Sequence, residues 1–229
     1  MTNADIRARL DSLAEPDFQA FTSRLMPGVE NVLGVRLPAL RRLARELAQG
    51  NFSAYLQAAR DDSYEETMLQ GMVIGYAPGN PEALLPFVSP FVEKLDNWST
   101  CDSFCVGLKM ARSHPGLLWD FILPYLSSPA VFPCRFGIVM LLWYYIDAHH
   151  IDQVLTLLAS VEHEAYYVRM AVAWAISMCY VAFPLQTETL LISDALDDFI
   201  HAKSLQKIME SRQISPQAKA RIRAMKRKR

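Results

Sequence analysis

Trp98 and Asp102 are the first residues of this 229-residue chain whose types and spacing suggest chemistry. Their separation of four places the indole and the carboxylate on one face of a helix. Arg135 follows Trp98 after 37 residues, and Trp174 follows Arg135 after 39. Aromatic faces and a carboxylate stabilise a cation, and a guanidinium binds phosphate. If this near-constant interval reflects a structural repeat, the four side chains share one wall and form a site for a cation beside a phosphate.

Each of these residues also has a purely structural explanation. An acid in the first turn of a helix, such as Asp102, interacts favourably with the helix dipole. A tryptophan on an apolar helix, such as Trp174, usually belongs to the core. Arg135 stands at the head of a very apolar segment, where a charged group is normally paired inside the fold. The residues alone leave both interpretations open.

The elements that position these residues are predicted to be helices. Apolar residues recur at intervals of three and four almost throughout, as in the stripe of Leu40, Leu43, Ala44 and Leu47. No hairpin signal separates alternating runs. Prolines stand between the periodic segments, where a missing N–H does least harm. The sequence therefore predicts an all-α chain.

The predicted helices recur as pairs. First helices begin near Ser63, Trp98, Pro133, Ala165 and His201, spaced by 35, 35, 32 and 36 residues, and second helices begin near Glu82, Gly116, His149, Leu185 and Pro216. A helix pair with this period is typical of an α-solenoid of HEAT-like repeats, which curves and presents a concave binding face.

The chain shows no linker, low-complexity segment or break in composition. We therefore expect a single domain over residues 1–229, which ends in a basic helix over residues 215–229. Its first 60 residues are expected to add about three shorter helices, with a turn at Pro27 and Gly28. No apolar run reaches the length of a membrane span, so we expect no membrane-spanning helix.

The charges are distributed unevenly along the chain. The formal net charge of −1 argues by itself against a nucleic-acid partner, but residues 201–229 hold ten Lys and Arg against one acid, whereas residues 1–200 carry a net charge of −10. The basic end is either an arm that touches DNA or a solvated helix end. The candidate DNA-binding cations are Arg36, Arg41, Arg42, Arg45, Arg169, Lys219, Arg221 and Arg223.

Several kinds of site are excluded by missing motifs. The sequence has no glycine-rich phosphate loop and no strand-turn-helix serine motif of the hydrolases. Cys101 and Cys105 are four residues apart with no histidine at ligand spacing, so we predict no metal site. All four cysteines are expected to be buried thiols in a reducing cytosol.

The sequence resembles the DNA alkylation repair proteins of the AlkD family, which are HEAT-like-repeat DNA glycosylases. The resemblance extends from about Arg24 to Arg212. It is carried by the segments Leu33–Pro38, Tyr64–Thr67 and Asn97–Asp102, by Arg135 before its apolar helix, and by Tyr166–Arg169 leading to Trp174. The Trp-x-x-x-Asp element followed by Arg and Trp at repeat spacing is the most specific part.

The resemblance implies a bacterial, cytoplasmic enzyme that excises cationic alkylated bases, such as 3-methyladenine and 7-methylguanine, from double-stranded DNA. It implies that Asp102 stabilises the sugar cation and positions water, that Trp98 and Trp174 pack on the sugar and backbone, and that Arg135 holds a phosphate. It implies no cofactor and no metal. We expect a monomer, which associates with the nucleoid when bound to DNA.

Two other functions remain open on the sequence. One is a non-catalytic relative that binds DNA by shape, suggested by the basic tail and by Leu25, where the family usually has an aromatic residue. The other is a HEAT-like scaffold for a basic protein partner, suggested by residues 113–202, which hold nine acids, Asp197 and Asp198 among them, and two bases.

Overall fold

The computed structural model describes residues 1–227, of which the great majority are helical. No strand occurs within this range, and its only bridge of β type joins Ala14 to Val35. The all-α prediction is therefore confirmed. Lys228 and Arg229, the last two residues of the predicted basic helix, lie outside the described residues.

The chain forms two compact units, Met1–His114 and Pro115–Arg229. Each has buried apolar side chains of its own, such as Leu43 and Leu69 in the first and Phe136 and Ile176 in the second. The single domain expected over residues 1–229 stays a prediction.

The first unit contains eight helices. Three of them, α3, α5 and α7, pack side by side in chain order, so that every second helix stacks on the next. The bounds are α1 Asn3–Leu13, α2 Pro16–Leu25, α3 Leu37–Gln49, α4 Phe52–Ala58, α5 Tyr64–Tyr76, α6 Pro81–Glu93, α7 Trp98–Gly107 and α8 Met110–Ser113.

The second unit repeats this arrangement within residues 115–227. Here α10, α12 and α14 pack side by side, and α10 is buried around most of its circumference. The bounds are α9 Pro115–Ile122, a 3-10 helix Leu123–Ser127, α10 Val131–Tyr144, α11 Ile151–Ala159, α12 Tyr166–Ala182, α13 Pro184–Ile192, α14 Asp198–Glu210 and α15 Pro216–Ala224.

The predicted helix pairs are found close to their expected positions. The first helices begin within three residues of the predicted starts and the second helices within two. The first 60 residues hold four helices, however, not three. The short helix α4 has only seven residues, and its apolar side chains Phe52, Tyr55 and Leu56 are only partly buried, so its apolar stripe is too short to be a clear signal in the sequence. No helix in the described part of the chain is long and apolar enough to cross a membrane.

A buried carboxylate ties the loop before α3 to α5. Glu65 is only 1% exposed, and it accepts hydrogen bonds from the backbone N–H groups of Leu33 at 2.8 Å, Gly34 at 2.7 Å and Val35 at 3.1 Å. Gly34 has a φ of +91°, in the left-handed region that favours glycine. The loop can present three donors to one carboxylate because it bends at this glycine.

Gly34→Ala is expected to destabilise the protein by about 3 kcal/mol or more, because left-handed strain adds to a steric clash. A Cβ atom there would lie 2.6 Å from the Glu15 carbonyl oxygen. Gly28→Ala is the matched control, since Gly28 has a φ of +89° but no atom within 4 Å of an added Cβ. We expect this control to cost about 1–2 kcal/mol. Urea denaturation measures both, and equal losses would contradict the packing argument.

Candidate functional site

Trp98 and Asp102 lie on α7, whose first turn is fixed by a buried asparagine. The Asn97 side chain accepts the backbone N–H of Thr100 at 2.9 Å, and its amide donates to the Asp96 carboxylate at 2.7 Å. Asn97 itself is 5% exposed. This cap sets where α7 begins, and so it fixes the direction of Trp98, the first residue of the helix.

The two faces of α7 have different roles. Cys101, Phe104 and Cys105 are fully or almost fully buried and form its core face. Trp98 and Asp102, one turn apart, are each only partly buried. The predicted pair therefore lies at the edge of the core face of α7, where the indole and the carboxylate are each partly exposed.

Arg135 is buried near the beginning of α10, with 6% of its surface exposed. Its Nη1 donates a hydrogen bond of 2.7 Å to the carbonyl oxygen of Tyr167, in the first turn of α12. Tyr167 also packs its ring against Phe132 of α10, with centroids 5.7 Å apart. Arg135 thus links two successive helix pairs. This is the structural role that the sequence left open, and the phosphate-binding role stays a prediction.

Trp174 lies in the middle of α12 and is partly buried. It meets the ring of Trp143 edge to face, with centroids 6.2 Å apart. Trp143 is 40% exposed at the C-terminal end of α10. The sequence analysis missed Trp143, because this residue continues an apolar run that predicts a buried helix. The contact restricts the orientation of the Trp174 ring.

The four predicted site residues fall in both units. Trp98 and Asp102 belong to the first unit, while Arg135 and Trp174 lie on the packed helices α10 and α12 of the second. Trp98 is the first residue of α7, Arg135 the fifth residue of α10 and Trp174 the ninth residue of α12, so the three side chains do not occupy equivalent positions of their helices. Their convergence into one site stays a prediction.

Some of the cations predicted to bind DNA in the first unit already contact other side chains, and others do not. Arg36 forms an ion pair of 2.8 Å with Glu15 and lies 4.7 Å from the centroid of the Phe18 ring. Hydrogen bonding from Arg36 lowers the pKa of the Glu15 carboxyl. Arg45 lies over the ring of Tyr76. Arg41 and Arg42 are exposed, and within residues 1–227 their side chains form no ion pair or hydrogen bond.

In the second unit, too, some of the predicted DNA-binding cations are paired with acids and others are not. Arg169 forms an ion pair with Asp197 and lies 4.4 Å from the centroid of the Phe199 ring. Arg221 is paired with Glu188. Lys219 and Arg223 have no such contact with any described residue. Sequence reasoning could not separate these two classes, because the partners lie about 28 and 33 residues away in the chain.

No group of three or more His, Cys, Asp or Glu side chains that could hold a metal occurs in the described range. All four cysteines are buried thiols. Burial raises the pKa of Cys134 to about 11 and that of Cys179 to about 12. Both thiols therefore stay protonated at neutral pH, and neither is an activated nucleophile.

Comparison with known families adds the decisive observation. A family model described as DNA alkylation repair enzyme matches residues 6–184. The chain belongs to this family. The match supports a role in DNA alkylation repair with DNA as the partner. Comparison with curated proteins gave no match.

The matched range of this family member contains Trp98, Asp102, Arg135 and Trp174, and it ends before α14 and α15. It also contains two of the motifs that suggested the family, Leu33–Pro38 and Tyr64–Thr67. These motifs are about 30 residues apart in the chain but meet in space, since Glu65 accepts the N–H groups of the loop. They stabilise the fold around the site, whereas the residues proposed for chemistry lie elsewhere.

Arg135→Met is expected to lower the free energy of unfolding by about 2 to 3 kcal/mol, because it removes the charge-assisted hydrogen bond that the buried guanidinium donates to the Tyr167 carbonyl. The matched control is Arg41→Met, the same change at an exposed side chain, expected to stay within about 0.5 kcal/mol of wild type. Chemical denaturation measures both values. A loss no larger for Arg135 than for Arg41 would mean that the Tyr167 contact does not stabilise the fold.

Proposed function

We propose that this protein is a DNA glycosylase that hydrolyses the N-glycosidic bond of cationic alkylpurines such as 3-methyladenine and 7-methylguanine. One observation carries the proposal. The partly exposed pair of Trp98 and Asp102 on α7 lies inside the range that matches the DNA alkylation repair family. A carboxylate beside an aromatic face suits a reaction that develops positive charge.

The chemistry of the substrate explains why so few groups are needed. Alkylation of a purine ring nitrogen gives the base a positive charge, which makes it a good leaving group. As the bond from the base to the sugar C1′ breaks, positive charge builds up on the sugar, and a carboxylate stabilises this oxocarbenium-like state. Water then adds to C1′ and loses a proton, which leaves an abasic site and the free base. In this reaction Asp102 stabilises the sugar cation and positions the water.

Trp98, Trp174 and Arg135 have supporting roles in the proposal. The two indoles pack on the sugar and backbone and present their faces to the positive charge. The edge-to-face contact with Trp143 holds the Trp174 ring for this purpose. Arg135 holds a phosphate near the lesion, and its bond to the Tyr167 carbonyl keeps its guanidinium in place.

The remaining parts of the proposal follow from the family resemblance. The substrate is double-stranded DNA with alkylated bases, and the reaction uses neither a cofactor nor a metal. The protein acts as a monomer in the bacterial cytoplasm and associates with the nucleoid when it is bound to DNA.

A non-catalytic relative that binds DNA by shape is the second candidate, and one observation favours it. Leu25, where the family usually has an aromatic residue, is 51% exposed at the end of α2. Phe21, one turn earlier on the same helix, is 49% exposed and supplies an aromatic ring nearby. The scaffold hypothesis is less favoured, because Asp197 and Asp198 are already paired with Arg169 and Arg227.

The test is base release from duplex DNA that contains a single 7-methylguanine, with protein in excess over DNA. Wild type is expected to release the base, and Asp102→Asn to slow release by a factor on the order of 10²–10³, because the sugar cation loses its counter-charge. Asp152→Asn is the matched control, since Asp152 is an exposed acid on α11. We expect its rate to equal that of wild type.

Two results would contradict the proposal. If wild type binds the duplex but releases no base, the protein is the non-catalytic relative. If Asp102→Asn releases the base as fast as Asp152→Asn, the reaction proceeds without the carboxylate, and the role assigned to Asp102 is wrong.

A further inference from the structure

The last helix lies beyond the part of the chain that defines the family. The family match ends at residue 184, and α15 spans Pro216–Ala224. Residues 211–227 contain six Lys and Arg and no acid. These six cations fall into two groups, those that contact other helices and those that do not.

Arg221 belongs to the group that fixes the segment. Its Nε donates a hydrogen bond of 3.2 Å to Glu188 on α13, and the same carboxylate oxygen accepts the hydroxyl of Tyr180 at 2.9 Å. Ile222, the next residue, is completely buried. The helix is therefore held by an apolar anchor and by an ion pair with a largely buried carboxylate.

Arg227 fixes the segment at a second point. Its guanidinium donates to the Ser193 and Leu196 carbonyl oxygens at 3.1 and 2.8 Å, and to the Asp198 carboxylate at 2.8 Å. All three acceptors lie between α13 and the first turn of α14. Such a set of charge-assisted bonds differs from the frayed, solvated helix end that the sequence left open.

The other four cations of this segment do not hold it against other helices. Lys219 and Arg223 are one turn apart on α15. Each lies two residues from Arg221, so both point about 160° away from Arg221 around the helix. Neither they nor the flanking Arg212 and Lys226 form an ion pair or hydrogen bond with any residue in the range 1–227. Arg223 is exposed, and no acid interrupts the cations of the segment.

We propose that α15 is a phosphate-binding helix, and that Lys219 and Arg223 contact the sugar-phosphate backbone of duplex DNA. The inference rests on the proposed function only in taking DNA as the partner. Charge complementarity favours a polyanion, since four cations lie on one short segment without a counter-charge. Because the two arginine contacts fix the helix, less conformational entropy is lost when it binds than for a free tail.

The test is the salt dependence of binding to an unmodified DNA duplex. Each phosphate contact contributes about 0.9 to the slope of log K against log salt. The variant Lys219→Gln/Arg223→Gln is expected to have a slope less steep by about 2, with an affinity lower by on the order of tenfold or more at low salt. A slope equal to that of wild type would overturn the proposal.

The matched control is Lys203→Gln/Lys207→Gln, which removes two charges at the same spacing from α14. We expect its slope to stay close to that of wild type. An equal decrease in both double variants would overturn the proposal, because net charge would then explain the effect. If the α15 variant loses the same affinity for polyglutamate as for the duplex, the surface binds acidic protein as well, and the assignment to duplex DNA fails.

The salt-dependence test can be interpreted whether or not the protein is a glycosylase. If the slope changes as expected but wild type releases no 7-methylguanine, the glycosylase proposal fails and this inference stands. If wild type releases the base and the slope is unchanged in the α15 variant, only this inference fails. A melting temperature equal to that of wild type shows that the α15 variant is folded, and circular dichroism provides this check.

Discussion

The buried carboxylate of Glu65 is the contact on which the first unit depends. An ionised group inside a protein is costly unless hydrogen bonds replace its water, and three backbone donors from residues 33–35 do so. This contact holds the loop at Gly34 and so positions the beginning of α3. Because α3 packs on α5, and α5 packs on α7, the same contact supports the helix that carries Trp98 and Asp102. Trp98 and Asp102 are thus positioned through a carboxylate that lies on another helix.

In the second unit, arginine side chains connect neighbouring helices. Arg135 joins α10 to α12, Arg169 joins α12 to the cap of α14, and Arg221 joins α15 to α13. These contacts explain the unusual charge distribution of the sequence. Several acids of the segment 113–202 are the partners of arginines, two of which belong to the basic end of the chain. The contrast between an acidic body and a basic tail is therefore partly cancelled by pairing within the fold.

The fold could be predicted from the sequence because its signals are local. Apolar spacing and proline positions act within one or two turns, so the predicted helix starts lie within a few residues of those in the structure. Whether each cation is paired with an acid could not be predicted, because the partner lies in another helix. Arg36 and Arg41 look equivalent in the sequence, yet only Arg36 is paired. Trp143 was missed because its exposure also depends on packing. It follows a run of apolar residues, which predicts a buried side chain, but it is 40% exposed in the structure.

The distribution of cations also agrees with the proposed reaction. A site that stabilises positive charge on a sugar is weakened by nearby cations that are not neutralised. The only Lys and Arg of residues 113–202 are Arg135 and Arg169. Arg169 is paired with an acid, and the proposal assigns Arg135 to a phosphate, which would neutralise it. The cations without a partner in the described range include Arg41 and Arg42 on α3 and Lys219 and Arg223 on α15, whereas Trp98 and Asp102 lie on α7 and Trp174 on α12. The two proposals thus assign phosphate contacts to α15 and stabilisation of the sugar cation to α7, which are different helices of the chain.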